Sequence, residues 1–333
     1  VTFLPLGLLG GSLLFGPIVD RFGHKALLLL SCLVVLLGLE GIAFFTSIPL
    51  LQVSIIGIGL GGGILNGETN ALVADISNEA EKGSRLSLLG AFYGIGALGI
   101  PVLLSFLSEY YSFEIILQGT GMVMLIGILF CLGIRFPAPK QPQGFPIKEG
   151  LGLLKESSLL LLSFILFFQS GIEGVCNNWT TLYLGQTTGI PENRALIALT
   201  CMVAGLTVAR LLLVVLFKKI KQETVLRTSL ITAVAGFALL TFAPGFARAA
   251  IGMALIGAGL ASTFPVILSI IGSRYASLSG TAFSVALVIA LIGQTLLNSL
   301  TGIISQGYGI VVYPYMMIVS LLIMLLLFKR SLK

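Results

Sequence analysis

Apolar residues run along this chain in long stretches separated by short polar breaks. A helix needs about 20 apolar residues to cross roughly 30 Å of hydrocarbon. On that rule the pattern predicts eleven spans, near residues 1 to 19, 26 to 45, 50 to 74, 86 to 107, 114 to 134, 158 to 183, 195 to 217, 224 to 243, 247 to 272, 277 to 304 and 309 to 328. Such runs recur through the whole chain, so they are structural spans and not a single cleaved signal. The expected fold class is an all-α integral membrane protein.

The polar breaks carry the topology. The longest, 136–157 (FPAPKQPQGFPIKEGLGLLKES), is proline-rich and basic and reads as a linker between two bundles. It divides the chain into 1–135 with five spans, the linker 136–157, and 158–333 with six. Short loops rich in lysine and arginine stay cytoplasmic. Placing the 16–25 turn inside leaves only Arg194 and Arg248 outside and Arg210 within a span, of nineteen basic residues. The C-terminus is then cytoplasmic and Val1 lies outside, with the cell membrane the expected location.

Composition agrees: 56% hydrophobic residues, 10% charged ones and a mean hydropathy of +1.07 exceed what a soluble core can cover, so the bilayer is an expected partner. The net charge of +6 is scattered over loops without an aromatic platform, which argues against nucleic acid. Cys32, Cys131, Cys176 and Cys201 show no C-x-x-C spacing and read as packing residues, so neither a disulfide framework nor a metal site is expected. The lone His24 sits in the first turn, and neither H-E-x-x-H nor G-x-S-x-G occurs. No catalytic residue is expected, and the chain does not read as an enzyme.

Function should show where polar groups enter the spans, because an ionisable side chain at mid-membrane costs about 2.5 to 3.5 kcal/mol on insertion scales. Three stripes fall at i, i+4 spacing: Asn66 with Asn70, Gln169 with Glu173 and Asn177, and Gln294 with Asn298. Their amides would pair with the hydroxyls of a sugar-like solute, and Trp179 either stacks on that solute or anchors its span at the interface. Glu68 lies about 200° around its helix from both asparagines, so all three cannot face one cavity. The asparagines are assigned to the passage, with Glu68 meeting a neighbouring helix. Arg210 stands two turns from the inner end of its span and is assigned a structural or gating role. Glycines cluster in the third and fourth spans, where close helix packing or room for a cavity would both use them.

The turn 16–25, GPIVDRFGHK, with Gly16, Asp20, Arg21, Gly23 and Lys25, is close to G-x-x-x-D-R-x-G-R/K-K/R, and the chain thereby resembles the major facilitator superfamily. The segment 66–101, with Arg85-Leu86-Ser87-Leu88 and Gly94-x-Gly96-Ala97, and later Phe264-Pro265 and Gly280-Thr281, is similar to its fucose:proton symporter branch. The resemblance implies two pseudo-symmetric bundles and a solute carrier working by alternating access. It also implies a gating turn in which Asp20 and Arg21 close the cytoplasmic side, with Arg21 paired to Asp75. The superfamily usually has twelve helices, so the first is expected to be missing here, as in a fragment or a chain read from an alternative start codon.

The branch often has a carboxylate four residues before its asparagine, where this chain has Asn66. Glu68 and Glu173 remain as ion-coupling candidates, for H+ or Na+, with no other cofactor. The reading is ion-coupled uptake, by a monomer, of a sugar or similar small polar solute. Two rivals stay open: a proton-coupled drug or metabolite efflux antiporter, and a non-transporting sensor or truncated remnant.

Overall fold

A computed structural model describes residues 3–141, 150, 152–242 and 245–331. The regular elements among them are all helical: α1 Phe3–Phe22, α2 His24–Phe44, α3 Ile48–Asp75, α4 Lys82–Leu107, α5 Phe113–Gly133, α6 Ser157–Thr188, α7 Glu192–Leu216, α8 Gln222–Phe242, α9 Phe246–Leu260, α10 Thr263–Arg274, α11 Ser279–Tyr308 and α12 Tyr313–Ser331. Among the described residues, eleven segments are long and apolar enough to span a bilayer, α9 and α10 counting as one. The expected count is met. Residues 142–149 and 151 of the expected linker lie outside the described residues.

The expected polar turn at 16–25 is almost entirely helix. α1 runs on through Asp20 and Arg21 to Phe22, and α2 begins at His24. Gly23 alone breaks the pair, at φ 82°, a left-handed conformation that a Cβ disfavours. The charged residues stay helical because, as shown below, they find partners in the fold. A second difference is the break between α9 and α10, where one continuous span was expected. Pro265 has no N–H for the Ala261 carbonyl and its ring crowds that carbonyl, so the ladder stops at Leu260 and restarts at Thr263.

The described chain forms two compact units. Unit 1 comprises Val1–Ile76, Ile100–Glu156 and Ile271–Val288; unit 2 comprises Ser77–Gly99, Ser157–Ile270 and Ile289–Lys333. In unit 1, α3 packs on α1 and α2, and α2 on α5. The α1–α3 seam is built from glycine. A Cβ on Gly7 would lie 2.5 Å from the Ile56 carbonyl oxygen, and Gly11, Gly59 and Gly63 meet the facing backbone as closely. Close packing is therefore the use of Gly59 and Gly63, since lipid supplies no hydrophobic drive between helices and small residues let backbones touch. In unit 2, α9 packs on α7 and α8, and α12 on α6 and α8. Gly257 rests on Met202 and Gly205 on Ala254 in the same manner.

Candidate functional site

In unit 1 the first turns of α11 are docked on α1. Three features of α1 hold them. Asp20, 2% exposed, accepts hydrogen bonds from the Gly280 amide (3.2 Å), the Thr281 amide (2.8 Å) and the Thr281 hydroxyl (2.6 Å). These amides are among the four at a helix start that no helical carbonyl can serve, and the helix dipole favours an anion there. Pro17, lacking an N–H, leaves the Leu13 carbonyl unserved, and the Ser284 hydroxyl lies 2.9 Å from it and 2.5 Å from the Ser12 carbonyl. Gly16 permits the approach: a Cβ there would lie 2.5 Å from the Gly280 carbonyl oxygen and 2.6 Å from Ser284 Cβ.

Gly16→Val should therefore undock α11 while the chain still inserts. Cysteine substituted at Ser284 should become reactive to a water-soluble maleimide in that variant; equal protection with and without the Gly16→Val substitution would refute the contact.

Beside this docking lies a buried ionic chain. His24 Nδ1 is 2.8 Å from Glu68 Oε1 and His24 Nε2 is 2.9 Å from Asp75 Oδ2. The other Asp75 oxygen takes Lys140 Nζ at 2.7 Å and the Ser279 hydroxyl at 2.9 Å, and Lys140 also donates to Ser279 at 2.5 Å. The Gln141 amide donates to the Asp20 carbonyl at 2.8 Å, tying the segment after α5 to α1. Glu68 thus meets a neighbouring helix, as the angular argument expected. Asp75 has partners in His24, Lys140 and Ser279, and Arg21 lies over the Phe22 ring, 5.1 Å from its centroid. Lys25 caps α5, donating to the Leu132 and Ile134 carbonyls at 2.8 and 3.2 Å, a cation at a helix C-terminus. Gly23 lies beside Pro139.

Unit 2 gathers amides differently from the three expected stripes. Asn298 and Gln294 of α11 lie over Gly174 of α6, where a Cβ would meet them at 2.8 and 2.6 Å. Asn178 Nδ2 donates to Asn298 Oδ1 at 2.9 Å. Asn178, about 100° from Asn177 on the helix, lies outside the i, i+4 stripe of α6; neighbouring asparagines cannot be separated by sequence spacing alone. Trp179 packs its ring against Gly302. Gln169 is fully buried and donates to the Leu260 carbonyl at 3.2 Å, at the end of α9. It secures the helix break and shares no bond with the other amides. Asn177 is exposed. In unit 1, Asn66 is exposed and its carbonyl accepts from Asn70 Nδ2 at 2.7 Å, so this pair bonds along its own helix.

Arg210 is 6% exposed. It donates to the Gly90 carbonyl at 3.0 Å, and its own carbonyl accepts from the Ser87 hydroxyl at 2.9 Å. Gly90 and Gly94 leave the room that Arg210 and Thr207 fill. Arg210 thus fixes the first half of α4 to α7, and Glu173 and Tyr93 bear on it electrostatically.

A model of the Major Facilitator Superfamily matches residues 1–293. The chain belongs to the Major Facilitator Superfamily. It is a multi-pass integral membrane transporter of small molecules, and not an enzyme. The superfamily match covers the docking residues of α1 and α11 together with the Arg210 region. Among curated relatives, the glucose/mannose transporter GlcP of Bacillus subtilis (strain 168) is 24% identical over 336 residues, covering 92% of this chain and 80% of that protein. The multidrug resistance protein MdtH of Aeromonas hydrophila is 30% identical over 163 residues, 48% of this chain and 39% of that one. Among solved structures, a variant of the E. coli fucose:proton symporter FucP superposes with a TM-score of 0.85 at 18% identity, covering 99% of this chain and 90% of that chain. The superfamily fold expected from the 16–25 motif is therefore established.

Proposed function

We propose that this transporter takes up a sugar or similar small polar solute by alternating access, coupled to H+ or Na+, as a monomer in the cell membrane with its C-terminus cytoplasmic. The observation that carries the reading is the amide cluster of Asn178, Gln294 and Asn298 on two spans around Gly174. Amides offer both donors and acceptors, which vicinal hydroxyls require, and Trp179 beside them offers an apolar ring face. The match to GlcP, named as a glucose/mannose transporter, over most of this chain supports the same class.

The gating residues would be Gly16 and Asp20, with Arg21, Gly23, Lys25 and Asp75 around them. In this reading the α11 turns docked on α1 release as the transporter opens inward. The excess of basic residues on that face supports its assignment to the cytoplasm. Glu173 would carry or attract the coupling ion, with Arg210 as its counter-charge. Glu68, committed to His24, fits that role less well.

Counterflow in proteoliposomes with a panel of labelled sugars, at fixed pH with and without sodium, tests this directly; no exchange of any sugar would refute it. Asn298→Ala should raise the half-saturation concentration about 5- to 30-fold, as expected for one or two lost hydrogen bonds of about 1 kcal/mol each, with insertion unaffected. An unchanged value would remove Asn298 from the site. Efflux is the second reading, favoured by the MdtH match over about half of the chain. Proton-driven extrusion of a lipophilic cation from the same vesicles, without sugar exchange, would select it.

A further inference from the structure

The chain has one histidine, and it stands at the middle of the buried charges of unit 1. Both ring nitrogens face carboxylates of α3, at 2.8 and 2.9 Å, with His24, Glu68 and Asp75 side chains only 5%, 0% and 9% exposed. A neutral imidazole has a single N–H, and its other nitrogen presents a lone pair. Opposite an ionised carboxylate that lone pair finds no donor. With both carboxylates ionised, only the imidazolium satisfies both contacts at once.

The surrounding charges make the same point. Facing His24 are Glu68 and Asp75 from α3; beyond them Asp20 from α1 bears on Glu68, and Lys140 from the segment after α5 pairs with Asp75. Arg21 on α1 lies over the Phe22 ring among its contacts, Lys25 on the same helix as His24 is turned to the α5 carbonyls, and Ser279 and Thr281 of α11 bring hydroxyls and an amide. Asp20 is answered by the amides of α11. Lys140 brings one positive charge to Asp75, and His24 is within hydrogen-bond distance of both Glu68 and Asp75.

We infer that His24 is a proton-controlled pin: its charged form holds Asp75 where that carboxylate receives Ser279, and loss of the proton releases the first turn of α11 from α3 and α1. The sign follows from the geometry. Docking is complete while the imidazolium persists and weakens as pH rises through the titration of His24, because a lone pair then faces a carboxylate. The superfamily-like pattern has arginine or lysine where His24 stands, a charge that does not titrate near neutral pH. As a control on transport, the inference rests on the reading that α11 undocks during the cycle; as a statement about docking, it does not.

Hydrogen exchange of the peptide spanning 279–284 tests it, on the full-length protein in nanodiscs from about pH 6 to 9.5, a range that brackets histidine titration. Rates are corrected for the intrinsic pH dependence of amide exchange. Protection of this peptide in the wild type should fall about tenfold or more toward alkaline pH, the scale of one lost charge-assisted hydrogen bond. His24→Arg should stay protected throughout, and His24→Gln should be poorly protected throughout. A flat wild-type profile, or a His24→Arg profile that falls as the wild type does, overturns the inference. Should His24→Arg not fold, Asp75→Asn serves instead: it must abolish the pH response, and persistence of the response is equally fatal. Sugar counterflow on the same preparations separates the two ideas. Protection that titrates while transport does not would keep the pin and overturn the assignment of undocking to the transport cycle.

Discussion

Asp20→Asn is expected to reduce solute exchange by at least about tenfold, with normal insertion and yield. The carboxylate serves three donors of α11 from a site that is 2% exposed. An asparagine keeps one acceptor oxygen and turns an NH2 group, itself a donor, toward the remaining donors. Breaking one side of a buried charged pairing costs about 3–5 kcal/mol, a shift of about 10²- to 4 × 10³-fold in the docked population at about 1.4 kcal/mol per tenfold. Even if half of that is recovered by water, the docked state would become too scarce for a cycle that must pass through it. Counterflow in proteoliposomes, with hydrogen exchange on 279–284 in parallel, checks both halves. Wild-type exchange combined with lost protection would mean that docking is not part of the cycle. Thr281→Val removes only the 2.6 Å hydroxyl contact and should give a milder loss.

Glu173→Gln is expected to separate exchange from accumulation. Glu173 shares a face of α6 with Gln169 and Asn177 by helical spacing, and it is the carboxylate that bears on Arg210. If it takes the coupling ion, its amide should still allow sugar to exchange for sugar but should abolish gradient-driven uptake. One elementary charge moving down about 100 mV is worth about 2.3 kcal/mol, enough for about 50-fold accumulation. The variant should instead level off near equal concentrations. Accumulation at the wild-type ratio would remove Glu173 from coupling, and loss of exchange as well would place it in the solute site.

Much of the fold was legible because the bilayer imposes a length rule that soluble proteins lack. Eleven apolar runs translated directly into eleven spans. Their ends were not legible, because charged residues normally mark a loop. Asp20, His24 and Asp75 remain helical since each meets a partner on another segment, something that depends on helix register rather than composition. Helix geometry alone kept Asn66, Glu68 and Asn70 from a common face, and Glu68 turns to His24 of α2. Gln169 was not legible in its spacing, because the break that Pro265 opens takes that amide to the Leu260 carbonyl. His24 stood at a basic position of the 16–25 pattern, and Lys140 was one of several linker lysines, but neither signal named Asp75 as the partner. A histidine in a turn and a lysine in a linker become informative only when three-dimensional packing brings them to the same carboxylate.

The glycine seam between α1 and α3 sets which parts of unit 1 can drift in sequence. Where a single methyl group at Gly7 would strike backbone that cannot rotate away, each added carbon must separate two whole helices. α5 lies at the opposite extreme: of its residues only Gly121 is buried, and large side chains such as Met122, Ile126 and Phe130 are widely exposed. A deep mutational scan should therefore read as two regimes in one unit, an intolerant stripe every four residues along Gly7 and Gly11, and an α5 surface on which almost any apolar residue is equivalent. Directed evolution aimed at new cargo would do well to leave the first untouched and treat the second as free.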